Sequence, residues 1–327
     1  MLTRLRLPYA PVTAIALLMA GCGEKADPLA LTADPPIVVV WADRGYAHAV
    51  GAGDLYVVQG NGTAPRAVRR WQHELDDGQA YGAFNALWSR DRRSIAFSMG
   101  VYYADPGSRV AVMSSDGRGL RELTTGWGRM LASWSADGKR LIHTNFWLSA
   151  DHDLRSVLPS GGPSSPLAIP IARNRRVTDF DWSHDGRRIA AALSDRGLLT
   201  MNAQGKNVVR VTRGDDSNPR WSPDGRTLLF TRSTNEFNAD WFKSDVYTVS
   251  ADGNDTRALT DDESSSAIGW SPDGAKILFV RRAVDEDKPK QDWWELWAMN
   301  ADGGQQTRLP FNRPGWSVIS ADWGESR

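Results

Sequence analysis

Apolar residues in this chain fall in short runs broken by turn residues, as in Thr227-Leu228-Leu229-Phe230, Val246-Tyr247-Thr248-Val249, Lys276-Ile277-Leu278-Phe279-Val280 and Leu296-Trp297-Ala298-Met299. Runs this short, rich in β-branched and aromatic residues and bounded by Asp-Gly pairs, predict strands. The turns have a physical basis. Aspartate bonds the backbone two residues on, and glycine accepts a positive φ without a Cβ clash.

The runs belong to a repeat. Trp88-Ser89-Arg90-Asp91, Trp134-Ser135-Ala136-Asp137-Gly138, Trp182-Ser183-His184-Asp185-Gly186, Trp221-Ser222-Pro223-Asp224-Gly225 and Trp270-Ser271-Pro272-Asp273-Gly274 recur in phase, and Trp323-Gly324 closes the series. The tryptophans are 46, 48, 39, 49 and 53 residues apart, the spacing of about 40 to 50 residues expected of one propeller blade. Each unit reads as four strands of an antiparallel blade, with the tryptophan ending the innermost strand and filling the wedge against its neighbour. The predicted fold is all-β: a single six-bladed β-propeller of four-stranded antiparallel blades over residues 36–327. Residues 37–41, 55–58 and 66–68 supply three strands without an initial Trp strand, and 317–323 supplies that strand. Joining the two ends closes the ring and hides both edges. The alternative takes Trp41 as a first blade tryptophan and leaves an extra strand at the carboxy terminus.

The Trp-Ser-Pro-Asp-Gly unit resembles the TolB-like propeller repeat, also seen in propellers of prolyl oligopeptidase relatives. Arg90 and Arg92 stand where Pro and Gly are usual. The resemblance implies the six-bladed fold and is far less informative about function. TolB itself, by the same resemblance, carries an α/β domain ahead of its ring, where this chain has only a short proline-containing stretch.

The amino terminus reads differently. Arg4 and Arg6 precede an apolar run from Ala10 to Ala20, too short for a lasting span and suited to a signal peptide over residues 1–21. Leu18-Met19-Ala20-Gly21-Cys22 resembles the lipobox of bacterial lipoproteins, which implies a covalent diacylglycerol on Cys22, with Gly23 favouring the outer membrane facing the periplasm. Cys22 is the only cysteine, so no internal disulfide forms. Residues 22–35 then read as a flexible tether.

Lys plus Arg equals Asp plus Glu at 39 each, which excludes electrostatic capture of nucleic acid. The chain has no G-x-S-x-G, H-E-x-x-H, P-loop or paired C-x-x-C, so no catalytic residue is assigned. Asp151-His152-Asp153 reads as an exposed loop, and Asp215-Asp216 and Asp261-Asp262-Glu263 read as solvated turns without calcium-loop spacing. No metal or other cofactor is expected.

The loops between second and third strands look long in every unit except the one starting at Trp182, and they carry aromatics. Tyr102, Tyr103, Phe146, Trp147, Phe237, Trp241, Phe242, Trp293 and Trp294 form a candidate binding face on the side of the interblade connections. The same residues equally suit packing the loops onto the ring. Asn85, Asp179, Asn218, Arg220 and Asp322 are candidates for the channel mouth or for hydrogen bonds among the blades. The expected function is an envelope binding module for a protein or cell-wall glycan, monomeric and held to the membrane by its lipid. The alternative is a propeller enzyme, a polysaccharide lyase or hydrolase, with an acid/base or metal site at the channel mouth.

Overall fold

The computed structural model describes residues 35–43, 53–71, 82–100, 108–124, 129–145, 154–167, 177–193, 197–233, 243–285 and 288–324. Three strands come first: β1 (Ile37–Asp43), β2 (Asp54–Val58) and β3 (Arg66–Arg69). Blade B holds β4 (Gly82–Trp88), β5 (Ser94–Gly100), β6 (Arg109–Ser114) and β7 (Arg121–Glu122). Blade C holds β8 (Arg129–Trp134), β9 (Leu141–Asn145), β10 (Arg155–Val157) and β11 (Ser165–Pro166). Blade D holds β12 (Val177–Trp182), β13 (Arg188–Leu193), β14 (Gly197–Asn202) and β15 (Val209–Arg210). Blade E follows with β16 (Asp215–Trp221), β17 (Thr227–Ser233), β18 (Ser244–Ser250) and β19 (Arg257–Ala258). Blade F has β20 (Ser265–Trp270), β21 (Lys276–Asp285), β22 (Lys288–Asn300) and β23 (Thr307–Arg308), before the last strand β24 (Trp316–Trp323).

β24 pairs antiparallel with β1, and the order β24-β1-β2-β3 makes blade A. The ring therefore closes by joining both ends of the chain, and Trp41 lies in a second strand, paired with Val318 and Asp54. All six sheets are four-stranded and antiparallel. The outermost strands are short and exposed, as edges that must not recruit another sheet should be.

The core lies between blades. Ala190, Leu198 and Val211 of blade D enclose Trp221, Leu228 and Phe230 of blade E. Leu229, Val246 and Leu259 of blade E likewise meet Ala267, Ile277 and Phe279 of blade F. Each alternating strand face is thus covered by the next blade, and closure leaves none unmatched. The blade tryptophans sit in these wedges. Trp88, Trp221 and Trp323 are buried, while Trp134, Trp182 and Trp270 are half-buried.

Each Trp-Ser-x-Asp turn has one hydrogen-bond pattern. Ser222 Oγ donates to Asp224 Oδ1 (2.6 Å) and accepts from Thr227 N (3.0 Å), while Arg226 N donates to Asp224 Oδ1 (3.0 Å). Ser89, Ser135, Ser183 and Ser271 repeat it. Gly225 adopts φ +66°, the left-handed conformation that a side chain disfavours. In the first turn Arg92 takes that place with φ 54°.

One expected loop is not a loop. In blade F the pairing of β21 with β22 continues outward from Arg282↔Trp294 and Ala283↔Trp293 to Asp285↔Lys288. Pairing with each other lets the two strands satisfy their backbone groups as a hairpin.

Candidate functional site

The inner strands β24, β4, β8, β12, β16 and β20 surround the central channel, and each carries a register shift before its tryptophan. A bulge adds one residue and re-aims the side chains that follow. Asn85 and Asn218 sit at two of these bulges with φ 50° and 52°, a conformation that asparagine tolerates better than most residues.

At the end of the channel bearing the Trp-Ser-x-Asp turns, the turn face, lies a cavity of about 160 Å³ lined by all six blade tryptophans. The residue before each tryptophan also lines it: Leu87, Ser133, Asp181, Arg220, Gly269 and Asp322. Arg220 and Asp322 are thus placed at the cavity, whereas Asp179 lies behind Arg220, whose Nη1 stands 3.2 Å from Asp179 Oδ2. Asn85 and Asn218 do not line it.

The carboxylates also join blades. Trp221 N donates to Asp181 Oδ2 (2.8 Å) across the D–E seam, and Trp88 N donates to Asp322 Oδ2 (2.7 Å) across the A–B seam. Ala86 N to Ser320 Oγ, Leu131 N to Ser98 Oγ and Ala267 N to Thr231 Oγ1 make further links between neighbouring blades. Arg90 reaches farther, donating to the carbonyls of Ala136 in blade C and His184 in blade D at the cavity rim. The residue that breaks the Pro pattern is therefore a strap across three blades.

Burial raises the Asp181 carboxyl to about 6, although the Arg220 guanidinium and the Trp221 N–H favour its charged form. Burial raises Asp179 as well, against the opposing pull of Arg220. For Arg220 burial acts to lower the pKa, and the charges of Asp179, Asp181 and Asp322 outweigh it for a net rise. Channel solvent still reaches 18% of the Asp179 side chain and 26% of that of Arg220. Asp181 was not among the residues read from the sequence. It occupies the same column as Arg220 and Asp322, one place before a blade tryptophan, and aligning the repeats on that column exposes it.

Of the expected aromatic face, Trp293 and Trp294 are described, and both pack inward. Trp293 is 8% exposed and donates from Nε1 to Glu295, while Trp294 lies against the apolar core of blade A. Tyr102, Tyr103, Phe146, Trp147, Phe237, Trp241 and Phe242 lie outside the described residues, as do Cys22 and Asp151-His152-Asp153. Asp216 is not in a solvated turn. It is buried and bonded by both Arg232 Nε (2.7 Å) and Nη2 (3.1 Å). Among the described residues no group of three His, Cys, Asp or Glu is placed to hold a metal ion.

The arrangement of blades invites comparison with known rings. TolB from Acinetobacter baumannii superposes with a TM-score of 0.66 at 16% identity, over 89% of this chain and 67% of that one. A TolB of Agrobacterium tumefaciens gives 0.54 at 17% identity, covering 84% and 88% of the two chains. The fold is the TolB-like six-bladed propeller. A prolyl endopeptidase aligns with a TM-score of 0.50 at 12% identity, over 85% of this chain and 51% of that one. Residues 193–288 match the family described as the N-terminal region of dipeptidyl peptidase IV. An uncharacterized peptidase of Bacillus subtilis, YuxL, is 34% identical over 137 residues, 36% of this chain. That match spans a fifth of the relative's own length, 20%. These likenesses are to TolB-like rings and to the propellers of peptidases, and they concern fold.

Proposed function

We propose that the chain is an exported, lipid-anchored module of the cell envelope, facing the periplasm from the outer membrane, that binds a protein or cell-wall glycan through the face opposite the Asp-Gly turns. The observation that carries this reading is the β21–β22 arm. Strands of 10 and 13 residues stand where, among the described residues, the second and third strands of the other blades have at most seven. Pairing beyond Arg282↔Trp294 lifts the hairpin about 10 Å above that level, at roughly 3.3 Å per residue. Val284, on this outer part, is 42% exposed.

The arm is braced. Arg282 and Asp292 pair at 2.6 Å, Arg308 holds Glu295, and Trp293 and Trp294 anchor the base. A rigid projection loses little conformational entropy when a partner docks on it. The test joins Ala283 to Trp293 through an Asn-Gly turn, which fits because those residues are register partners. Crosslinked, detergent-solubilised envelopes from wild type should yield a partner that the shortened variant loses. Retention of every partner would defeat the reading.

A second reading rests on Asp181. A carboxylate raised to about 6 beside a cavity, with Asp322 also on its wall, is placed for acid/base chemistry on a glycan. Turnover of envelope polysaccharide by wild type, abolished in a folded Asp181→Asn variant, would favour it.

A further inference from the structure

The turn face is set apart by the arrangement of its charges and by its relation to the amino terminus. β24 runs towards the turn face and ends at Trp323, and β1 begins there, with Ile37 opposite Trp323. Trp323 Nε1 donates to Pro35 O (2.9 Å), and Gly324 N donates to Pro36 O (3.0 Å). The chain therefore enters the ring at the turn face. Cys22 precedes Pro35 by 13 residues, a reach of at most about 45 Å when fully extended.

The hairpins of blades B, C and D on that face expose Arg90, Arg93, Arg118, Lys139, Arg187 and Lys206. Arg140 and Arg188 stand half-buried behind them. Four acids share these hairpins: Asp91, Asp116, Asp137 and Asp185, each accepting a serine hydroxyl and a backbone N–H within its own turn. Blades E and F reverse the balance. Arg226 and Lys276 there face Asp224, Asp252, Asp255, Asp273 and Asp302. The whole-chain balance of 39 against 39 conceals a basic crescent on one side of one face.

We propose that this crescent rests on an anionic membrane surface, its arginines and lysines against headgroup phosphates, with the β21–β22 arm pointing away. The orientation rests on the lipid-anchor reading given above. The charge contact does not. A basic patch is attracted to anionic lipid only within about a Debye length, roughly 8 Å at physiological salt. Entry of the chain at the turn face favours bringing this side of the ring, rather than the arm, within that distance.

The test uses the full chain on vesicles of phosphatidylcholine alone and of phosphatidylcholine and phosphatidylglycerol in equal parts. An acyl chain contributes alike to both, and a leader carrying Arg4 and Arg6 is common to wild type and variants, so the change in the ratio of the two affinities between them reports the crescent. Wild type should prefer the anionic vesicles by about tenfold or more, with the preference falling as salt rises. The triple variant Arg93→Glu, Lys139→Glu, Arg187→Glu should lose that preference, and Lys243→Glu, placed on the opposite face, should keep it. Arg93, Lys139 and Arg187 are exposed and Lys243 is half-buried, and thermal unfolding confirms that the variants fold. Hydrogen exchange on anionic vesicles should slow in hairpins 89–94, 135–140 and 183–188 and stay unchanged in 282–284.

Equal binding to both vesicle types overturns the proposal, as it would if the crescent served an acidic protein instead. Protection of the arm overturns the orientation. Incorporation of labelled palmitate, lost in Cys22→Ala, is the separate measure of the anchor. If the label is absent while the anionic preference is present and sensitive to the triple variant, the anchor reading falls and the crescent stands.

Discussion

Asp181 and Asp185 lie four residues apart in one hairpin of blade D, and their carboxyls move in opposite directions. Asp185, at the turn, is held below the usual range because the Ser183 hydroxyl and the Arg187 N–H donate to it in open solvent. Asp181, inside the ring, rises to about 6 because desolvation outweighs Arg220 and the Trp221 N–H. The lesson concerns local supply. A carboxylate with donors and water is stabilised as a charge, and one with donors but little water is not.

Removing Arg220 should widen the difference most. Arg220→Met leaves Asp179 and Asp181 in the channel without their cation, a loss of about 3 kcal/mol at pH 8 after allowing for the water that reaches them. At pH 5 both carboxyls take up protons more readily and the loss shrinks. Urea unfolding at the two pH values checks this, and an equal loss at both would mean that Arg220 acts by packing alone.

Neutralising Asp181 should erase the difference. Its folded pKa is raised above the unfolded value of 3.8, so between about 4 and 6 the folded state binds more protons. Its stabilising contribution is present at low pH and is lost as pH rises through that window. Asp181→Asn keeps an acceptor for the Trp221 N–H and removes the charge. The variant should match wild type near pH 4 and exceed it by about 1–2 kcal/mol at pH 8. A stability curve with the same pH slope as wild type across that window would sink the assignment.

The fold was legible in the sequence because the repeat fixes it locally. Trp221-Ser222-Pro223-Asp224-Gly225 specifies a strand end, a turn and the next strand with little help from the rest of the chain. The closing blade was legible for a related reason, since residues 37–68 lacked one strand and 317–323 had one to give. The channel cluster was harder. Asp179, Arg220 and Asp322 stood out as polar residues on apolar strands, but bulges shift which residues face the channel, and no spacing rule shows a bulge in advance. Asn85 and Asn218 were polar for a backbone reason, at the bulges themselves. The blade F arm was misread because a tryptophan-bearing stretch looks the same in a loop and in an extended hairpin. The crescent was hidden by a composition that averages to neutrality.

The smallest effect belongs to the turn. Asp185→Asn removes a charge that is exposed, so solvent screening leaves little of its interaction with Arg187 and Arg188 to lose. The amide oxygen can still accept the Ser183 hydroxyl and the Arg187 N–H, and the expected loss at pH 7 is about 0.5 kcal/mol. Because the folded pKa is depressed, the contribution of Asp185 is present above the unfolded value of 3.8 and disappears as pH falls through the folded value. The variant and wild type should therefore converge as pH falls below 3.8 and separate above it, the reverse of the Asp181 pair. Thermal unfolding across that range measures both. If Asp185→Asn instead tracked Asp181→Asn, growing more stable than wild type as pH rises, then position within the ring would not be what divides these two carboxylates.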